Sequence, residues 1–171
     1  MPLIVQDPLA PVSNANSYLS LVDARALAAQ YALILPDDDT EAESALINAT
    51  LYLNTYEDRV GGERSTDTQS TMYPRKNSHV RCAEVHSDVI PDDIKLAQVI
   101  AAEAFGRGDN LWGGADDGRS IASEKVDVIA VSYFDNGATS GAATLPRLDQ
   151  LMKQFFGGQS QGLSNFSVYR V

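Results

Sequence analysis

Residues 61–89 limit what this chain can fold into more than any other stretch. They show no sustained hydrophobic period, yet apolar helical patterns lie on both sides of them. A loop of that length in a compact domain is uncommon and is usually functional or partly disordered. The chain is 171 residues long, enough for one domain with arms and for a true core.

Four segments carry helix signals. Ser20 and Asp23 form an S-x-x-D start for a run rich in Ala and Leu that reaches Tyr31, before Pro36 and the acid run Asp37-Asp38-Asp39. Thr40 and Glu43 form a T-x-x-E capping box; Ala42, Leu46, Ala49, Leu53 and Tyr56 then share one face up to Gly61-Gly62. Pro91 suits a first helical turn, with Asp92 and Asp93 at the positive end of the dipole. Behind them run Ile94, Ala97, Ile100, Ala101, Ala104 and Phe105, stopped by Gly106 and Gly108. A short last helix follows Leu145-Pro146, with Leu148, Leu151, Met152 and Phe155 on one face and Gly157 placed as its C′ residue. Between the last two helices, Ile121–Tyr133 reads as an extended, β-branched stretch ending at Asp135-Asn136-Gly137.

The expected fold is therefore mainly α. It is a small helical bundle over 1–156 with a long mid-chain loop at 61–89, a short extended segment at 121–133 and an extended C-terminal arm at 157–171. Leu46, Leu53, Ile94, Ile100, Phe105, Leu148, Leu151 and Phe155 are the expected core. The mid-chain loop and the 121–133 segment are expected at subunit contacts outside the monomer core, because ordering 29 residues of mixed charge alone costs about 1–2 kcal/mol per residue.

Charge bears on partners. The formal net charge is −10, opposite in sign to a general nucleic-acid binder. It is uneven: residues 1–60 hold 9 acids and 2 bases, whereas 61–90 hold 4 of each. The second stretch contains a relatively basic island, Arg64, Arg75, Lys76 and Arg81, with Tyr73 beside it. Three uses remain open for it: stacking and phosphate contact, an acidic partner surface, or balance of the protein's own carboxylates. No apolar run approaches the length that spans a bilayer, and the N-terminus lacks the basic region of a signal peptide.

Chemistry-bearing constellations are thin. His79, Cys82 and His86, with Glu84 or Asp88, match no common zinc spacing. The only two histidines lie in that loop and there is no G-x-S-x-G elbow. Gly61-Gly62 and Gly113-Gly114 lack phosphate-loop spacing, and Asp37-Asp38-Asp39 lacks that of a calcium loop. No catalytic residue, cofactor or metal is expected.

In the C-terminal arm Arg170 is the only charged side chain. Leu163, Phe166, Val168 and Tyr169 stand among Gly, Ser, Gln and Asn. Fifteen extended residues reach up to about 50 Å, and an apolar-tipped arm of this kind suits strand addition to a partner.

Four pieces occur in order: Asn14-Ala15-Asn16-Ser17-Tyr18, Tyr73-Pro74-Arg75, Ile90-Pro91 and Ser123-Glu124-Lys125-Val126. Over roughly residues 10–155 they resemble a phage protein family often labelled DnaT-like single-stranded-DNA-binding proteins, which look like the head–tail connector (adaptor) proteins of tailed phages. Tyr73 stands where the family often has Trp, and Asp127 where it commonly has Gly. The resemblance implies a dodecameric ring on a portal protein, bound in turn by a downstream neck or tail protein, with genomic DNA passing through the lumen and no membrane. The expected location is the virion neck, after assembly in the host cytoplasm. On that reading Leu163, Phe166, Val168, Tyr169 and Arg170 meet the portal, and Tyr73, Arg75, Lys76, Glu124 and Lys125 meet a subunit or partner. The alternative is a single-stranded-DNA-binding replication accessory.

Overall fold

A computed structural model describes residues 2–81, 83–113 and 143–156, together with the backbone of two strands at 123–126 and 129–132. Four helices form the frame: α1 (Leu21–Gln30), α2 (Asp39–Asn54), α3 (Asp92–Gly106) and α4 (Pro146–Lys153). Three antiparallel ribbons of two strands each join it. β1 (Glu63–Arg64) pairs with β2 (Arg75–Lys76), β3 (Ser78–Val80) with β4 (Ala83–Val85), and β5 (Ser123–Val126) with β6 (Ile129–Ser132). The described chain is thus a small mixed domain in which helix predominates.

The Ser20 oxygen accepts from the Asp23 amide at the start of α1, as the S-x-x-D signature predicts. At α2 the cap differs from expectation. Asp38 caps the helix, accepting from the Glu41 amide, and Thr40 lies inside the first turn. A carboxylate is as good an acceptor as a hydroxyl and adds a favourable charge at the dipole's positive end. Pro91 precedes α3, and Pro146 opens α4. That helix ends at Lys153, and Gly157 lies outside the described residues.

α3 is the centre of the domain. Ile94, Leu96, Ala97, Gln98, Val99, Ile100, Ala101, Ala102 and Ala104 are all buried, so it is covered on most of its circumference rather than along one stripe. α2 packs closely along it, with Leu46, Ala49 and Leu53 facing inward. α4 closes the bundle through Leu148 and Met152, and Phe155 follows them into the core. Two expected core residues are only half-buried: Phe105 sits at the C-terminal rim of α3, and Leu151 lies on the edge of the α4 face. Where the sequence suggests one extended stretch at 121–133, β5 and β6 form a hairpin in which Val126 pairs with Ile129.

The larger correction concerns residues 61–89. Far from standing outside the monomer core, this stretch sends Gln69, Thr71, Met72, Tyr73, Arg75 and Ser78 into it. Intramolecular hydrogen bonds offset the cost of ordering it. Gln69 Nε2 donates to the Thr71 and Pro74 carbonyls, and Thr71 Oγ1 donates to the Tyr73 carbonyl and accepts from Gln6 Nε2.

A buried polar knot ties the N-terminal strap to the bundle. Gln98 is fully buried; its Nε2 lies 2.7 Å from Ser17 Oγ, 2.9 Å from Thr50 Oγ1 and 3.2 Å from the Leu46 carbonyl. Its Oε1 accepts the Tyr18 amide at 3.1 Å. Gln98→Leu is expected to destabilise the protein by about 2–4 kcal/mol, because the Tyr18 N–H and the two hydroxyls lose partners while still buried. Urea unfolding should show a lower midpoint at unchanged slope.

Candidate functional site

The basic island is the natural place to look for a binding surface, and its two halves differ. Arg75 is 4% exposed. A guanidinium carries five N–H donors, and every one of these is occupied. Nε donates to the Gly61 carbonyl at 3.0 Å; Nη1 to Glu57 Oε1 and the Met72 carbonyl, both at 3.4 Å; Nη2 to the Val60 carbonyl at 3.3 Å and the Gly62 carbonyl at 2.5 Å. The Gly61-Gly62 pair therefore has a local reason. Gly62 has a φ of +80°, and a Cβ there would collide with the Lys76 backbone carbonyl.

Arg64 lies beside it. Its Nε and Nη2 grip the two oxygens of Glu57 at 2.7 and 2.5 Å, and its Nη1 donates to the Gln69 carbonyl at 2.7 Å. Glu57, from the 3₁₀ turn Glu57–Arg59 that follows α2, is thus shared by two guanidinium groups. The Arg64 hydrogen bonds, reinforced by both positive charges, hold the Glu57 carboxyl below the usual carboxylate range despite partial burial. Of the three uses open to the island, the protein's own carboxylate takes Arg64 and Arg75. Lys76 and Arg81 are exposed, Arg81 in the tight turn between β3 and β4 at a φ of 51°.

The other expected site residues disperse. Tyr73 is fully buried, its hydroxyl 3.0 Å from Ser78 Oγ and its ring edge-on to Phe155 at 6.0 Å. Tyr73 and Arg75 are therefore internal, not the outward contacts expected of them, because their polar groups find partners within the chain. Glu124 and Lys125 lie in β5, paired with Val131 and Ala130 across the hairpin. Leu163, Phe166, Val168, Tyr169 and Arg170 lie outside the described residues. His79 pairs with Glu84 in the β3–β4 ladder, and His86 Nδ1 is 2.7 Å from Asp88 Oδ1 at the exposed surface. Cys82 is outside the description, and among the described residues no three ligand-type side chains converge.

One arrangement escapes the sequence reading. Tyr52 and Tyr56 on α2 and its exit start an aromatic strip. Tyr52 meets Trp112 edge-on at 5.8 Å and Phe105 at 6.2 Å; Tyr56 meets Tyr52 at 5.7 Å and stacks on Phe156 at 6.3 Å. The Arg59 guanidinium lies over both Tyr56 and Phe156, at 4.7 and 4.5 Å from the ring centroids. Tyr56 donates to Asp149 Oδ1 at 2.7 Å, and burial with these bonds raises its hydroxyl pKa far above the ordinary value. Trp112 remains 47% exposed at one end. The i, i+4 spacing of Tyr52 and Tyr56 is the one cue to this in the sequence; the partners come from remote segments.

Two outcomes follow. Replacing Arg75 by Met leaves four carbonyls without this donor and Glu57 with Arg64 as its one cation, and should cost about 3–5 kcal/mol; Lys should rescue little, lacking the fork. Glu57 has a depressed folded-state pKa, so its contribution is present above the unfolded value of about 4.3 and is lost as pH falls through the lower folded value. The stability gap between wild type and Glu57→Gln should therefore be widest near neutral pH and close as pH drops below the unfolded value of about 4.3, measured by urea unfolding along the pH series.

No curated protein and no solved structure matches the chain. One family matches over residues 1–171, described as "Putative DnaT-like ssDNA binding protein". A match over the full length shows the family, and the chain belongs to the DnaT-like ssDNA-binding protein family so described.

Proposed function

We propose that this chain is a structural head-to-tail connector of a tailed bacteriophage, located in the virion neck: a non-enzymatic ring subunit that docks on the portal protein, extends the DNA channel and offers a platform to the next neck or tail protein. The observation that carries the reading is the internal commitment of Arg75 and Arg64. Single-stranded-DNA binding without sequence preference rests on a positive groove lined by stacking rings. Here the buried arginine has no N–H left for a phosphate, and the chain carries a net charge of −10. An acidic subunit suits a conduit through which DNA must slide without sticking. The ordered pieces that resemble connector proteins support the same reading.

Single-stranded-DNA binding is the second reading. The family description favours it directly, and none of the comparisons names a connector. The strip from Trp112 to Arg59 offers rings to a base, and so does Tyr31, 45% exposed with the Arg147 guanidinium over its ring.

One pair of measurements separates them. Fluorescence anisotropy of a labelled oligo-dT at physiological salt should show affinity no tighter than about 100 µM, the weak end of non-specific binding. Sedimentation with portal rings should show saturable loading, and truncation after Gly158 should abolish that loading while the helices stay folded. Micromolar oligonucleotide binding without portal loading would establish the second reading instead.

A further inference from the structure

The exposed surface carries two unlike patches at opposite ends of α2. At its N-terminal end lies an acidic run. Asp37, Asp38, Asp39 and Glu41 are exposed. Asp38 caps the helix and Asp39 pairs with Arg25 at 2.8 Å, whereas Asp37 and Glu41 have no cationic partner among the described residues. The apolar face of α1 and its exit leads directly into this run: Val22 and Ile34 are each 77% exposed, and Ala26 and Ala29 are exposed between them. Ile34 is not a loose end, for its amide donates to Glu103 Oε1 at 3.1 Å.

At the C-terminal end of α2 the chemistry reverses. Arg59 is exposed over the Tyr56 and Phe156 rings, and Lys153 is exposed one turn before Phe156. Neither has a carboxylate partner among the described residues, since Glu57 is held by Arg64 and Arg75 and Asp149 by the Tyr56 hydroxyl. The aromatic strip runs from there to the exposed Trp112 indole. Tyr, Trp and Arg are the residues that most often anchor protein interfaces.

We infer that these two patches are the two halves of one head-to-tail contact between copies of this chain: the acidic run of one copy against Arg59 and Lys153 of the next, with Val22 and Ile34 covering the aromatic strip near Trp112. Sixteen helical residues separate the ends of α2 by about 24 Å, so the two charge clusters cannot meet within one molecule. Unlike patches at opposite ends make a heterologous contact, which closes into a ring when the rotation permits. The inference deepens the ring-forming reading above and rests on it. It assigns the register to the two charge clusters and the adhesion to the apolar groups, since exposed ion pairs contribute little by themselves and are screened by salt.

Charge reversal tests it by sedimentation equilibrium of the full chain at low salt. Wild type should self-associate. Arg59→Glu with Lys153→Glu should weaken association at least about tenfold, because like charges then face each other. Asp37→Lys with Glu41→Lys should do the same from the other side, at exposed positions. All four changes in one chain should restore association. Wild-type association that neither pair of changes weakens would overturn the contact but leave ring formation standing. Weakening by both pairs without rescue in the fourfold variant would overturn the pairing. A wild type that stays monomeric at low salt would overturn both the contact and the ring.

Discussion

The Arg75 guanidinium is the constraint on which the rest of this domain depends. It gathers the carbonyls of Val60, Gly61, Gly62 and Met72 and one oxygen of Glu57 around a single buried cation. Those groups come from the exit of α2 and from both ends of the 60–75 excursion, so one side chain closes the loop on itself. Buried carbonyls without donors would add several kcal/mol to the ordering entropy the loop already carries. With the guanidinium in place the loop becomes part of the core. Tyr73 can then reach Phe155, and Phe155 brings the end of α4 onto the bundle, where its carbonyl accepts the Gly61 amide.

Much of the helical frame was legible in the sequence. Ser20, Pro91 and Pro146 mark helix starts because capping and proline chemistry are local, and the Leu46–Leu53 face reads out because helical periodicity is local too. Apart from the cap of α2, the errors lie where the deciding partner is remote in sequence. Asp38 displaces Thr40 as the cap of α2 by a shift of two residues. Arg75 reads as a surface cation because nothing within a few residues of it reveals Glu57 or the carbonyls of residues 60–62. Gln98 carries no local cue to its role, since its amide binds Ser17 and Thr50 across the domain. The aromatic strip is hidden for the same reason, since Trp112 and Phe156 join Tyr52 and Tyr56 only after folding.

Two of the pieces that carry the family resemblance, at 14–18 and 73–75, prove to be scaffold. Asn16 ties down the N-terminal strap through the Ile4 amide and the Pro2 carbonyl, Ser17 feeds the Gln98 knot, and the Tyr18 hydroxyl accepts the Tyr73 amide. Tyr73 and Arg75 fasten the mid-chain loop. These residues hold the fold of this chain, and they leave the partner to be decided by the surface. That surface is acidic at one end of α2 and aromatic with cations at the other, which is why the proposed contact between copies rests on Arg59, Lys153, Asp37 and Glu41.

The conspicuous arginine serves the fold and not a ligand. Nitrogen-15 NMR of the Arg75 Nε–H tests it most directly. The expected result is a resolved side-chain resonance that exchanges slowly with solvent, held by the Gly61 carbonyl, and that does not move when oligo-dT is added. A fast-exchanging Nε–H, or one that shifts on titration with the oligonucleotide, would contradict it.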